Sequence, residues 1–361
     1  MDFSFTEEQD AVRDLAAQIF EGRATPDRVK EIERSDDGTD RDLWRALADA
    51  GLLAIAVPEE HGGSGLGIIE LCLLLEQQGR RVAPVPLWPT LVLGALPIAE
   101  FGTPEQQQTW LPRVAGGDAV LTAALADPAV TAERAGDIYK LDGTTRSVPA
   151  GHIADRVIVP ATIEPGRFGV FLVDPSGPGV RRTVATTTDR SRVAHLELTG
   201  ATAEQLGGGD SRALAWMLDR ALVGLSAMQV GVAEGALRMA ADYTSERQQF
   251  GRPLSTFQGV ALKAADAYID TEAMRVTLWQ AAWRLTAGLD ATKEVMVAKW
   301  WAAEGGQRVV HITQHLHGGM GADIDYPVHR YFLWGKQIEN TLGGASAQLA
   351  RLGQALAEVP A

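Results

Sequence analysis

One cysteine, Cys72, stands in a chain of 361 residues. A disulfide within the chain needs two, and an iron–sulfur cluster held by thiolates needs more, so both are excluded. Cys72 lies in an apolar run, LCLLLE, where a lone thiol reads as a core residue. Basic runs are also missing. The formal net charge is −13 with no Lys/Arg cluster to offset it, which argues against a nucleic-acid partner. An acidic total does not exclude an anionic substrate, because a few arginines build a local phosphate site. No apolar run approaches the length of a membrane span. The first residues are acidic from Asp2, without a basic-then-apolar leader, so a cytoplasmic chain is expected. What is present is ordinary globular composition, 46% hydrophobic and 22% charged. This length predicts two or three domains rather than one core.

The chain opens with a capping-box pattern, Thr6-x-x-Gln9, followed by Val12, Leu15, Ala16, Ile19 and Phe20 at helical spacing. A second helix is predicted over 40–50, with Asp40 as N-cap and Gly51 past its end. Pro58 to Gly67 reads as a loop. It contains GGSGLG, but the G-x-G-x-x-G spacing of a dinucleotide fingerprint is not met and no strand–helix alternation follows. A helix from Ile68 to Arg80, a segment broken by Pro84, Pro86 and Pro89, and further helix to Gly116 complete a helical first third. From Ala119 to Leu206 the texture changes to short strand-like runs, 137–141, 156–159, 168–173 and 194–198, at the spacing of a small β-barrel or sandwich. Gly207-Gly208-Gly209-Asp210 reads as a hinge ending in an N-cap. Beyond it the pattern is helical again. Leu262, Ile269, Val276 and Trp283 recur every seventh residue, a stripe suited to antiparallel helix packing, and Val309, Ile312 and Leu316 make a similar face. Trp279, Trp283, Trp300 and Trp301 suit a bundle core or a subunit interface.

The stretch from Tyr243 to Gln258, YTSERQQFGRPLSTFQ, joins two predicted helices through a turn that carries Arg247 and Phe250. A guanidinium fork matches phosphate oxygens, and an aromatic beside it covers a flat ring, so the pair suits a phosphate-bearing cofactor. Taken alone, an Arg-x-x-Phe reads first as a helix end with an ion pair and a buried phenylalanine, since short motifs match often by chance. His311, His315 and His317 resemble a metal-binding spacing, but no acidic ligand is suitably placed with them and a Gly-Gly turn follows at once, so no metal is expected.

The longer pattern around Arg247 and Phe250 resembles the first C-terminal signature of the acyl-CoA dehydrogenase family. HLHGGMGADIDYPVHR, His315 to Arg330, resembles the second, and MDFSFTEEQ and PEEHGGSGLG are similar to the family's N-terminal segments. The resemblance covers essentially the whole chain. It implies a fold of an N-terminal α domain (1–120), a central β-barrel or sandwich domain (121–206) and a C-terminal four-helix bundle (207–361). It implies non-covalent FAD at a subunit interface and α,β-dehydrogenation of an acyl-CoA thioester, in which a glutamate takes the α proton and the flavin accepts the β hydride.

Carried over residue by residue, the resemblance divides the site. The half that a chain lends to its neighbour's flavin, around the adenosine diphosphate, matches Arg247, Phe250, Gly318 and Gly319, with His315 beside the diphosphate. Gly318 on its own also reads as a helix C-cap. The half that serves a chain's own flavin does not match. The family's Thr-Glu-Pro…Ser becomes Ala126-Asp127-Pro128 with Ala132, and its Trp and Thr after Leu-x-Gly become Ser147 and Pro149. The family's catalytic glutamate falls on Leu342, and the alternative base position on Ala221. Asp219 and Glu339 are the remaining carboxylates near these positions. The resemblance therefore implies a subunit without its own base. It would act with a paralogous subunit, as α2β2, on an acyl-CoA that is a steroid side-chain ester, and pass electrons to an electron-transfer acceptor. A homo-oligomeric dehydrogenase using Glu339 or Asp219, and a flavin-free acyl-CoA-binding scaffold, are the alternatives.

Overall fold

The computed structural model describes residues 4–126 and 129–357. Asp127 and Pro128, part of the expected flavin-facing stretch, lie outside the described residues. The chain divides into two compact units. One gathers the chain up to Val29, Cys72–Ala83 and the chain from Leu222 onward; the other gathers Lys30–Leu71 and Pro84–Ala221.

In the first unit, α1 (Glu7–Arg23) starts at the predicted capping box. The Thr6 hydroxyl accepts from the Gln9 amide at 3.2 Å, and the Gln9 side chain returns the bond to Thr6 N–H at 3.0 Å. Helix α7 runs from Ala213 to Glu246, α8 from Gln258 to Thr286, α9 from Thr292 to Leu316, α10 from Val328 to Asn340 and α11 from Ala345 to Ala357. Helix α9 is the hub, packing against α8, α10 and α11. The second half of α4 (Ile68–Arg81) lies so close to α7 that a Cβ on Gly231 would stand 1.9 Å from the Glu76 carbonyl oxygen, so only glycine fits there. An ion network crosses this contact. Arg275 on α8 meets Glu76 at 2.8 Å and Glu234 at 2.9 Å, and Arg80 meets Glu234 at 2.7 Å.

The heptad stripe of α8 does not face this packing. Leu262, Ile269 and Val276 are 58%, 63% and 59% exposed, and Trp283 is exposed with them. The buried face is instead Ala267, Thr271, Met274, Leu278, Ala281 and Ala282. Small residues there, with Gly305 of α9 turned toward Met274 and the Asp270 carbonyl of α8, let α8 and α9 approach closely, and that contact leaves the bulkier stripe on the outside. Trp279 does pack within the unit, edge-on to Phe5 at 5.0 Å.

The second unit contains α2's last residues (the helix is Pro26–Glu33), α3 (Arg41–Asp49), a buried π-helix (Trp88–Ala95), α5 (Leu96–Phe101), α6 (Pro104–Ala115) and all seven strands between Leu121 and Gln205. Asp40 caps α3 as predicted, accepting from Leu43 N–H at 3.1 Å. The strands are β1 (Leu121–Ala123), β2 (Ala129–Ala135), β3 (Ile138–Pro149), β4 (Arg156–Glu164), β5 (Arg167–Val173), β6 (Val180–Thr186) and β7 (Arg192–Gln205). Pairing runs β4–β2–β3–β7–β5 and returns from β5 to β4. That closed ring decides between the two expected forms in favour of a barrel, filled by Leu141, Val148, Val157, Phe171 and Leu196.

Candidate functional site

The link between α7 and α8 is not the simple helix–turn–helix expected from sequence. Gln248 and Gln249 pair with Pro253 and Arg252 in a two-residue hairpin whose tip is Phe250-Gly251. Both tip residues have positive φ, +53° and +77°. A two-residue hairpin of this twist demands that, and Asn-Gly is its usual sequence. Phenylalanine there is strained, and its ring is 91% exposed rather than buried, which removes the alternative reading of Phe250 as a core residue. Phe257 braces the hairpin from below. It takes the Phe250 ring edge-on at 6.2 Å, and the Arg252 guanidinium lies 4.1 Å from its face. Arg247 sits at the hairpin's base. Its N–H donates to Tyr243 O and its carbonyl accepts from Leu254 N–H, both at 2.9 Å. Its side chain is exposed and, among the described residues, has no ion-pair or hydrogen-bond partner.

The second element is the end of α9. His317 caps the helix, and Gly318 follows with φ +56°. Gly318 thus is the left-handed glycine immediately after the helix cap. It is also open: a Cβ at Gly318 or Gly319 would meet nothing within 4 Å, so an outside group has free approach to this backbone. His315 is exposed on the last turn of α9. His317 is buried, and its Nδ1 lies 2.7 Å from Thr313 O, an acceptor, so that nitrogen carries the proton. His311 packs edge-on to Phe332. The three histidines do not converge, and no metal-binding cluster occurs among the described residues.

Leu342 and Ala221 stand at the two positions matched to the family's base, with Glu339 and Asp219 as the nearby carboxylates. Leu342 has φ +59°, and its carbonyl accepts from Gln348 at 3.2 Å. Glu339 is half-buried and bound to Lys336 at 2.5 Å. Ala221 is fully buried, with its carbonyl accepting from the Trp88 indole at 3.1 Å. Asp219 is half-buried on α7 beside Arg220, whose guanidinium lies 3.6 Å from the Trp216 face and is pulled down to about 10 by burial. In the barrel, β3 breaks register between Thr145 and Val148. Ser147 stands in that bulge with φ +53°, and its N–H donates to His195 Nδ1 at 3.0 Å.

Two residues that pattern reading passed over matter here. His195 looks like any strand histidine until β7 brings it to the bulge. Lys299 falls at a core position of α9, fully buried, with its ammonium held by the carbonyls of Ile338 and Glu339 at 2.9 and 3.0 Å. Burial pushes it down to about 7.

Comparison with known proteins gives the class. The N-terminal domain of acyl-CoA dehydrogenase matches residues 6–118 and its C-terminal domain residues 211–356. The chain belongs to the acyl-CoA dehydrogenase family, a family of FAD-dependent oxidoreductases. It is 42% identical to acyl-CoA dehydrogenase FadE27 of Mycobacterium tuberculosis, with 100% of both chains covered. Among solved structures, the ChsE4-ChsE5 complex from Mycobacterium tuberculosis superposes with a TM-score of 0.96 at 43% identity, again with 100% of both chains covered. The Tcur3481-Tcur3483 steroid ACAD G363A variant superposes at 0.93 with 52% identity and 98% of each chain covered. No helix among the described residues is long and apolar enough to cross a membrane.

The strained tip yields a prediction. Asparagine tolerates positive φ, so Phe250→Asn is expected to stabilise the free chain by about 1 kcal/mol, read as a raised urea midpoint. The same substitution removes the exposed ring and is expected to weaken FAD binding in the assembled enzyme. A lowered urea midpoint would show that the tip carries no strain.

Proposed function

We propose that this chain is one subunit of a hetero-oligomeric, FAD-dependent acyl-CoA dehydrogenase, α2β2 in composition. It supplies the adenosine-diphosphate half of a flavin site, and a paralogous partner subunit supplies the ring-facing half and the base. The observation that carries the reading is an outward-facing pair of elements. Arg247, without a side-chain partner among the described residues, and a strained, exposed Phe250 stand on one, and the open Gly318-Gly319 backbone on the other, while the family's base position is Leu342. These residues fit the diphosphate end of FAD: a guanidinium for phosphate oxygens, bare backbone for close approach and an aromatic face for a flat group. The residues at the family's ring-facing positions do not fit the other end. Leu342 cannot hold a proton, Pro149 has no N–H, and the Ser147 N–H is already engaged by His195.

When bound, the flavin supplies the hydride acceptor of the α,β-dehydrogenation. This chain's part is to bind and orient. Arg247 would neutralise diphosphate charge, Phe250 would offer an aromatic face to the cofactor, and His315 would line the edge of the same site. The exposed apolar stripe of α8, four large side chains aligned on one helix face, supports burial against another subunit. Two of the structural neighbours are named as two-protein assemblies, one of them a steroid enzyme, which supports the paralogous partner and a bulky steroid side-chain CoA ester as substrate. An external electron-transfer acceptor would be the enzyme's oxidant.

Co-purification with the paralogous subunit and flavin quantitation test the reading. We expect about one FAD per two chains in the complex, and a colourless or poorly flavinylated chain when purified alone. One tightly bound FAD per chain in an isolated homo-oligomer would refute it.

A further inference from the structure

We infer that His317, not His315, is the positioning residue of the diphosphate site, and that it acts through ring stacking. This rests on the reading of Arg247 and Gly318-Gly319 as a flavin-diphosphate site. Those two elements lie about 70 residues apart in sequence, and one diphosphate meets both only if their separation is fixed. Three rings fix it. The His317 imidazole stacks on Tyr243 at 4.7 Å with 26° between planes. Tyr326 closes the cluster, 5.3 Å from His317 and 6.3 Å from Tyr243.

Each ring belongs to a different segment of the site. Tyr243 lies one helical turn before Arg247, and its carbonyl accepts the Arg247 N–H. His317 immediately precedes Gly318. Tyr326 opens the segment leading into α10, where its carbonyl meets His329 Nδ1 at 2.7 Å. The His317 ring is held upright by Thr313 on its own helix and also feels the Met239 carbonyl of α7. Burial keeps it below its ordinary pKa against both carbonyls. A neutral imidazole does not compete with Arg247 as a second cation; its contribution is shape and a fixed plane. His317 thus touches α7 and also stands at the helix cap where the Gly-Gly turn begins.

The test uses the assembled enzyme, the chain co-purified with its paralogous subunit, and reads FAD affinity by fluorescence titration. His317→Phe keeps the stack and loses the bond to Thr313. His317→Asn keeps a donor for Thr313 O and loses the stack. We expect His317→Phe within about threefold of wild type and His317→Asn weaker by about tenfold. In a double-mutant cycle His317→Asn is expected to add little to Arg247→Ala, because a misplaced arginine and a missing one lose the same contact. Tyr243→Leu, which removes the stack from the other side, is expected to match His317→Asn. It decides the case if the histidine variants fold poorly. Full additivity of the pair, or wild-type affinity for both His317→Asn and Tyr243→Leu, overturns the positioning role. If Arg247→Ala alone leaves FAD affinity unchanged, the cofactor-site reading itself fails, a result distinct from additivity.

Discussion

Arg247→Ala is expected to lower flavin affinity of the assembled enzyme tenfold or more and to remove most of its turnover at limiting FAD. The exposed guanidinium has no partner among the described residues, so its charge is available to a diphosphate. A charge-assisted hydrogen bond of this kind contributes about 1.5–3 kcal/mol, and about 1.4 kcal/mol is a factor of ten in affinity. The matched variant is Glu339→Gln, expected to leave turnover nearly intact. Its carboxylate is tied to Lys336, and what Lys299 holds at Glu339 is the backbone carbonyl, which the substitution keeps. A catalytic base replaced by an amide would instead cost about 100-fold or more in rate. An inactive Glu339→Gln that still binds FAD would move the assignment to a homo-oligomeric enzyme with its own base. No effect of Arg247→Ala on FAD would leave a flavin-free scaffold as the better account.

Arg275→Met is expected to be the most damaging single change to the helical unit, lowering its unfolding free energy by about 2–3 kcal/mol. Glu76 is almost fully enclosed, and burial raises its pKa against the opposing pull of Arg275. With Arg275 gone, Arg80 remains at 3.4 Å, a longer and weaker contact, so a buried carboxylate is left under-compensated. Solvent screens part of the interaction, because the Arg275 side chain is itself 25% exposed, so the loss is smaller than for a fully buried pair. The sign with pH follows from the direction of the shift. A carboxyl whose folded pKa lies above its unfolded value favours the folded state at low pH and loses that contribution as pH rises through the folded pKa. Without Arg275 the folded pKa of Glu76 rises further, so the deficit is largest at alkaline pH and narrows as pH falls and Glu76 takes up a proton. Urea unfolding at pH 8 and pH 5 measures this. Adding Glu76→Gln should recover much of the loss at pH 8, since the stranded charge is then absent. A deficit equal at both pH values would place the cost in packing instead.

Local chemistry explains what could be read directly. The Thr6 and Asp40 caps, the Gly51 stop and the strand runs at 156–159 and 168–173 depend on neighbours within a few residues, so spacing reveals them. The α8 stripe shows the limit. Periodicity says that Leu262, Ile269, Val276 and Trp283 share a face; it cannot say whether that face meets α9 or the outside. Close approach of small residues at the α8–α9 contact made that choice. The hairpin at Phe250-Gly251 was hidden for a related reason. Phe-Gly is not a hairpin sequence, and the positive φ at Phe250 is imposed by cross-strand pairing of Gln248 and Gln249 with residues after the tip.

Sequence alone determined the class of this protein and the residue types on which the proposed site rests: arginine, phenylalanine and bare glycine at the proposed diphosphate end, and leucine, serine and proline at the family's ring-facing positions. Side-chain chemistry is fixed by residue type, so those assignments needed no coordinates. Tertiary structure decided which of those groups are available. It set Phe250 outward on a strained tip and left the Arg247 side chain without a partner among the described residues. It buried His317 against Tyr243 while exposing His315, brought His195 to the Ser147 amide, and closed Lys299 around the end of α10. Each of these joins residues distant in sequence, where packing and not periodicity chooses the neighbour.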